Sequence, residues 1–178
     1  MIKLVSLTLR NFKQYRTAHI NFPEKGKILI KGKNEAGKST IFEAIGFALF
    51  GKPIYVGTIS NLIKFNTEKA EIELVVKTED KVLTITRTLK KNPQGGTSQE
   101  ATLRIKQNNN LTPIIVTNPS NVNPRIIKEI GIDQDIFINT CFIGQKRLET
   151  LENLGAKERQ QLISKLFNLD YFVNLIEK

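Results

Sequence analysis

The sequence predicts an α/β fold, and three observations carry that prediction. The stretch Gly32-Lys33-Asn34-Glu35-Ala36-Gly37-Lys38-Ser39-Thr40 matches G-x-x-x-x-G-K-[ST], the pattern of a phosphate-binding glycine loop. Lys27-Ile28-Leu29-Ile30-Lys31 reads as a short buried strand entering that loop, and Ser39 to Phe50 reads as a helix leaving it, which is the order such a loop requires. Further along, four runs with strand-like alternation are separated by turn-forming residues and read as an antiparallel meander.

The loop chemistry follows from its residue types. Many backbone N–H groups must approach a polyphosphate at once, and glycines at 32 and 37 remove the Cβ atoms that would block them. Lys38 reaches the outer phosphates as a point charge, and the Ser39 hydroxyl is placed for Mg²⁺ at a helix N-terminus that itself favours anions. In the helix, Ile41, Phe42, Ile45, Phe47, Ala48 and Leu49 cover so much of the circumference that it is expected to be buried on most sides.

In chain order, Ile2 to Leu9 and Ala18 to Phe22 read as strands. The turn Arg10-Asn11-Phe12-Lys13-Gln14-Tyr15-Arg16 between them sets three cations beside two aromatics just upstream of the loop, either a nucleotide or DNA contact or a solvated hairpin turn. Gly51-Lys52-Pro53 ends the loop helix, and Tyr55 to Lys64 is irregular or briefly helical. The meander strands are Ala70 to Lys77, Val82 to Leu89, Ala101 to Gln107 and Thr112 to Thr117, with turns at Thr78 to Lys81, Asn92 to Gly96 and Asn108 to Asn110. It reads as an insertion after the first α/β unit. Asn118 to Asn121 starts a polar turn into a helix near Asn123 to Ile130, closed by Gly131, and Asp133 to Thr140 is a second helical segment. The apolar stretch Cys141-Phe142-Ile143-Gly144 breaks into Gln145, Lys157 to Phe167 is an amphipathic helix, and Tyr171 to Lys178 begins another. Leu166, Leu169, Val173 and Ile176 hint at coiled-coil spacing without the heptads needed to establish it.

Composition bounds the class. With 178 residues, 40% hydrophobic and 25% charged, the chain can bury one sizeable core. The N-terminus has no signal-peptide pattern, no apolar run reaches bilayer length, and the single cysteine, Cys141, cannot form an internal disulfide; a cytoplasmic, nucleoid-associated protein is expected. The net charge of +10 is uneven: residues 1–91 carry 17 Lys and Arg against 8 Asp and Glu, and residues 92–178 carry 10 against 9. Either a phosphate-rich partner or a solvated lysine-rich surface accounts for it. His19 lies in a strand-like run and reads as structural.

A glycine loop alone does not hydrolyse a nucleotide; a carboxylate at the end of a buried strand and a group that positions water are also needed. The nearest candidate, Leu74-Val75-Val76-Lys77-Thr78-Glu79-Asp80, is broken by Lys77 and places its acids in a turn. The second motif is therefore expected to lie outside this chain.

Taken together, Leu9-Arg10-Asn11-Phe12-Lys13, the loop with Ile41-Phe42-Glu43-Ala44-Ile45 behind it, the Gln145 segment and Glu158-Arg159 resemble the N-terminal half of an ABC-type ATPase head. The resemblance is to the SMC-like group that includes the double-strand-break repair ATPases Rad-fifty and SbcC. It implies a head split by a long antiparallel coiled coil, so that residues 1–178 form its N-terminal segment: a strand and loop unit over 1–52, the β meander over 53–117, a helical and Gln145 region over 118–168 and the start of the coil over 169–178. It implies ATP and Mg²⁺ as cofactors, with Lys13, Asn34, Glu35, Ala36, Gly37, Lys38, Ser39, Thr40, Lys64 and Gln145 at the nucleotide and Ser39 and Gln145 at the metal. Gln145 is followed by Lys146-Arg147, where many relatives have glycine and a polar residue.

The resemblance further implies an ATPase whose heads dimerise around ATP, with DNA and a nuclease subunit as partners and no membrane. Apart from Lys38 and Gln145, its catalytic groups, including the signature motif, belong to the C-terminal half of the head, so this segment alone is expected to be inactive. Two alternatives stand beside it: a DNA-binding or chromosome-structure module in which ATP acts as glue with negligible turnover, and a transporter ATPase subunit.

Overall fold

A computed structural model describes residues 2–55, 57–107, 112–138 and 155. Residues 1–131 make one compact unit. Its strands are β1 (Lys3–Phe12), β2 (Tyr15–Asn21), β3 (Lys69–Lys77), β4 (Lys81–Lys91), β5 (Thr97–Gln107) and β6 (Ile114–Thr117), and its helices are α1 (Lys38–Phe50) and α2 (Pro119–Ile130). A short 3₁₀ turn covers Ile59–Leu62.

All six strands join one antiparallel sheet in the order β2-β1-β3-β4-β5-β6. The meander continues the sheet of the first strands: β3 pairs directly with β1, with Leu7 opposite Leu74 and Leu9 opposite Ile72. The alternation read from the sequence decides which face is buried. Ile72, Leu74 and Val76 on β3, Leu83, Ile85 and Leu89 on β4, and Leu103 and Ile105 on β5 are buried, while their neighbours face outward. Helix α1 packs on β3 and β4, α2 packs on β5 and β6, and the two helices touch. Ten of the thirteen α1 residues are buried, as the sequence predicts.

Both helices end as their sequences dictate. Gly51 and Gly131 adopt left-handed conformations at φ 70° and 71°, and their N–H groups return to Phe47 and Ile127. Helix α2 starts earlier than expected, because Pro119 suits the first helical position, where no N–H is needed.

The strand expected at Lys27–Lys31 does not form. The segment is irregular, and Ile28 and Leu29 are 51% and 76% exposed. A strand exists only when a neighbour takes its N–H and C=O groups, and the described strands pair among themselves without offering this segment one.

An arginine occupies the buried face. Arg87, between Ile85 and Leu89 on β4, is fully buried, donating from Nε to the Ala48 carbonyl at 2.6 Å and from Nη2 to Leu49 O at 3.1 Å and Asn123 Oδ1 at 2.7 Å. With its amide oriented to satisfy both neighbours, Gln99 accepts from Arg87 Nη1 at 2.8 Å and donates to Gly51 O at 3.2 Å. Burial lowers the Arg87 pKa to about 10, far enough above neutral for the guanidinium to stay charged.

In the second unit, Asp133 caps the short helix α3 (Gln134–Ile136), its carboxylate accepting from the Ile136 N–H at 2.8 Å. Cys141, Gln145, the helices expected at 157–167 and 171–178, and the coiled-coil spacing lie outside the described residues.

Candidate nucleotide site

The glycine loop enters α1 at Lys38, with Gly37 as the N-cap at φ 96°. A side chain at Gly37 would be strained by that conformation, and an added Cβ, 2.0 Å from Gln14 Nε2 and 2.8 Å from Gln14 Cδ, would displace the Gln14 amide. Glu35 also takes a left-handed conformation, at φ 64°. Asn34, Glu35 and Ala36 are exposed along the loop.

Lys38 is folded over its own loop: Nζ donates to Gly32 O at 2.8 Å and to Lys33 O at 2.7 Å. Ser39 is exposed at the first turn of α1, and its hydroxyl is hydrogen-bonded to the Tyr55 phenol. Partial burial raises the Tyr55 pKa, the Glu43 carboxylate raises it further, and the bond to Ser39 works against both. Thr40 is buried and donates to Gln14 Oε1 at 3.2 Å, facing the hairpin rather than the mouth of the loop.

The β1–β2 hairpin brings a second group of residues to the same helix end. Its tight turn holds Asn11 and Lys13 at φ 50° and 47°. It is pinned from outside by the Lys13 N–H to Leu62 O at 2.9 Å and the Lys64 N–H to Asn11 O at 2.8 Å. Phe12 is buried beneath it, its ring centroid 6.4 Å from that of Phe47 in α1. Lys13 then forms an ion pair with Glu43, whose side chain is only 3% exposed, and Lys64 Nζ donates to Gln14 O at 2.9 Å. Tyr15 completes the junction by donating to Gly37 O at 3.2 Å.

Of the residues expected at the nucleotide, the fold therefore assembles Lys13, Lys64 and the loop from Asn34 to Thr40 around one end of α1. Gln145 lies outside the described residues. Four further residues join them: Gln14, Tyr15, Glu43 and Tyr55. Glu43 was detectable as the acidic residue of an otherwise apolar helix, four positions after Ser39 and so on the same face. Tyr15 lay within the turn marked for its cations and aromatics, whereas no pattern marked Gln14 or Tyr55. Among the described residues no cluster of His, Cys, Asp and Glu could hold a metal by itself. A magnesium site there needs oxygens from phosphate and water in addition to Ser39, which is how Mg²⁺ is usually held beside a nucleotide. The donor set of ammonium groups, hydroxyl and helix N-terminus suits that anionic ligand.

Comparisons with known proteins show the family. A family model described as AAA domain matches residues 6–178. The DNA double-strand break repair Rad50 ATPase of Methanococcus maripaludis is 28% identical over 173 residues, 97% of this chain and 16% of that protein. The enzyme of the same name from Methanocaldococcus jannaschii is 30% identical over 178 residues, 98% of this chain and again 16% of that protein. The chain thus spans a small part of the length of these relatives. A solved structure of the recombination mediator protein RecF with ATP aligns with 98% of this chain and 41% of its own, at a TM-score of 0.51 and 22% identity, and shows the shared fold. No helix among the described residues is long and apolar enough to cross a membrane. From the glycine loop, the α/β fold and the match over nearly its whole length, the chain belongs to the AAA domain family.

Proposed function

We propose that this chain is the nucleotide-binding N-terminal half of an SMC-like ATPase head, which uses ATP binding and hydrolysis to drive head dimerisation in DNA double-strand-break repair. The observation that carries the reading is the loop itself. Lys38 is held by two neutral carbonyls, an arrangement a phosphate oxygen can displace at little cost. At Gly32 the chain leaves room for a side chain, an added Cβ meeting Ala36 at an ordinary 3.5 Å, so the need for glycine there is set by a ligand's approach.

In this reading the backbone N–H groups of the loop and of the first turn of α1 cradle the phosphates, and Lys38 leaves its carbonyls for the outer ones. Ser39, now bonded to Tyr55, would be the hydroxyl that holds Mg²⁺. Lys13 and Lys64 would border the nucleotide from the hairpin side, and Gln145 would meet Mg²⁺ and sense the outer phosphate. Mg²⁺, when bound with ATP, neutralises phosphate charge. The carboxylate that activates water comes from the C-terminal half of the head, and the signature motif from a second copy. The exposed Ile28 and Leu29 support that partner, since a strand from the rest of the head would cover them. DNA, a nuclease subunit, the coil after residue 169 and a nucleoid location complete the proposal.

The test is ATP binding and steady-state turnover by this chain with Mg²⁺, using Lys38→Ala as the blank. Lys38-dependent binding without turnover is the expected result. Binding equal in both proteins overturns the nucleotide site. Lys38-dependent turnover moves the catalytic carboxylate into this chain, with Glu43 the first to substitute, and removes the split-head reading. An ATP-glued module with negligible turnover is distinguished by joining the two halves: turnover then stays at the blank.

A further inference from the structure

Arg87 is the buried cation that the phosphate site does not use directly. It reaches the opposite end of the same helix. Helix α1 carries no basic residue in its last turn, so nothing of its own complements the negative end of its dipole. Arg87 supplies that charge from β4. It takes the carbonyls of Ala48 and Leu49, two of the acceptors a helix end leaves without an internal partner, while the Gly51 N–H takes Phe47 O. Two further guanidinium N–H groups go to Gln99 of β5 and Asn123 of α2.

The fit is close on every side. An added Cβ at Gly51, already strained at φ 70°, would stand 2.6 Å from Arg87 Nη1 and 2.9 Å from the Gln99 side-chain amide, so a side chain there would displace the arginine's contacts. A planar guanidinium fixes direction as well as distance, because its donors have a rigid fork geometry. Helix α1 is a rod of about 19 Å from 13 residues. Direct attraction between Arg87 and an anion at the far end is weak at that separation. What passes along the rod is position.

We propose that Arg87 is the positioning residue of the phosphate loop, fixing α1 along its axis and, through Asn123, coupling nucleotide binding at the loop to α2. Arg87, on β4, bonds both the carbonyls that end α1 and Asn123 of α2, and a displacement of α1 by bound phosphate is transmitted to α2 through it. The coupling is reciprocal, so order in α2 also favours binding.

The inference rests on the nucleotide reading above, and the experiment separates the two. Hydrogen exchange of the Val122–Ile130 amides is measured with and without Mg-ATP, beside a direct nucleotide titration, in wild type, Asn123→Ala, Arg87→Lys and Lys38→Ala. Wild type is expected to bind nucleotide and slow exchange in α2 by about threefold or more. Asn123→Ala is expected to lose that response while still binding nucleotide, with an affinity loss no larger than the response itself, about threefold. Arg87→Lys keeps charge but not the fork, and is expected to lose both the response and about tenfold in affinity. An α2 response in Asn123→Ala equal to wild type, or wild-type binding with no α2 response, overturns the coupling and leaves the nucleotide site standing. Absence of wild-type binding overturns both.

Discussion

Gly37 shows how much one position can be asked to do. Its backbone lies at φ 96°, its missing Cβ is occupied by the Gln14 amide, and its carbonyl accepts from Tyr15. A Gly37→Ala change meets left-handed strain and displaces the Gln14 amide, and the loop relieves the strain by leaving this conformation. The expected outcome is a loss of roughly tenfold or more in Mg-ATP affinity by titration with a fluorescent nucleotide, with the far-ultraviolet dichroism of the fold retained. Unchanged affinity would count against the loop geometry described here. The glycine itself was legible, since the spacing of the motif names it, but its contact with Gln14 was not. Arg87 is a case in which the signal was present and went unread. In Leu83-Thr84-Ile85-Thr86-Arg87-Thr88-Leu89 the arginine stands in the apolar register, so a buried, hydrogen-bonded cation follows from the alternation.

Between elements, the end of α2 is tied to the start of β4 by charge. Glu129, with its side chain 6% exposed, accepts from Lys81 Nζ at 2.8 Å and from Arg125 Nε at 2.8 Å. Burial pushes the Glu129 carboxyl up, but the hydrogen bonds from Lys81 and Arg125 and their charges outweigh it and hold it below its ordinary value. A carboxyl lowered in this way contributes stability that is present above its unfolded pKa and is lost as pH falls through the folded value. Glu129→Gln is therefore expected to cost about 1–2 kcal/mol at neutral pH, because it leaves the Lys81 cation less well paired. The gap to wild type should close as pH is lowered from about 6 to about 3, followed by denaturant unfolding at each pH. A gap that stays constant with pH would remove the ion pair as its cause.

Elements differed in how legible they were. The meander strands could be read because each carries its own alternation and turn, and α1 because its apolar residues cover most of its surface. The run at 27–31 has strand composition too, yet the deciding quantity is a neighbour, and no local pattern names one.

For the molecule as a whole, charge and topology matter most. The outward face of the sheet is polar, and one cross-strand row sets Lys3 opposite Lys77, Lys77 opposite Val82 and Val82 opposite Lys106, with Arg104 exposed in the next row of β5. If the proposed DNA contact uses this row, duplex affinity should fall steeply with salt, by a log–log slope of about 0.9 for each phosphate neutralised. Replacing Lys77, Arg104 and Lys106 by alanine should flatten that slope in a binding titration. A slope unchanged by the triple replacement would assign the contact elsewhere, and a flat wild-type response would leave the basic half merely solvated. The excess of cations was visible in the sequence, but their row was not, because it exists only in the register between strands.

Topology has a consequence in time. Five pairings hold the sheet, and four join strands that follow one another in the chain; the fifth, β1 with β3, links residues 3–10 to residues 71–77. Hairpins can close as soon as they are made, but this pairing must wait for a distant segment, and such non-local closures are the slow events of folding. Everything between those strands is enclosed by the closure, the glycine loop and α1 included. Lys38 and Ser39 therefore reach their places in the same event that completes the sheet, and a chain arrested before it has hairpins but no pocket for phosphate.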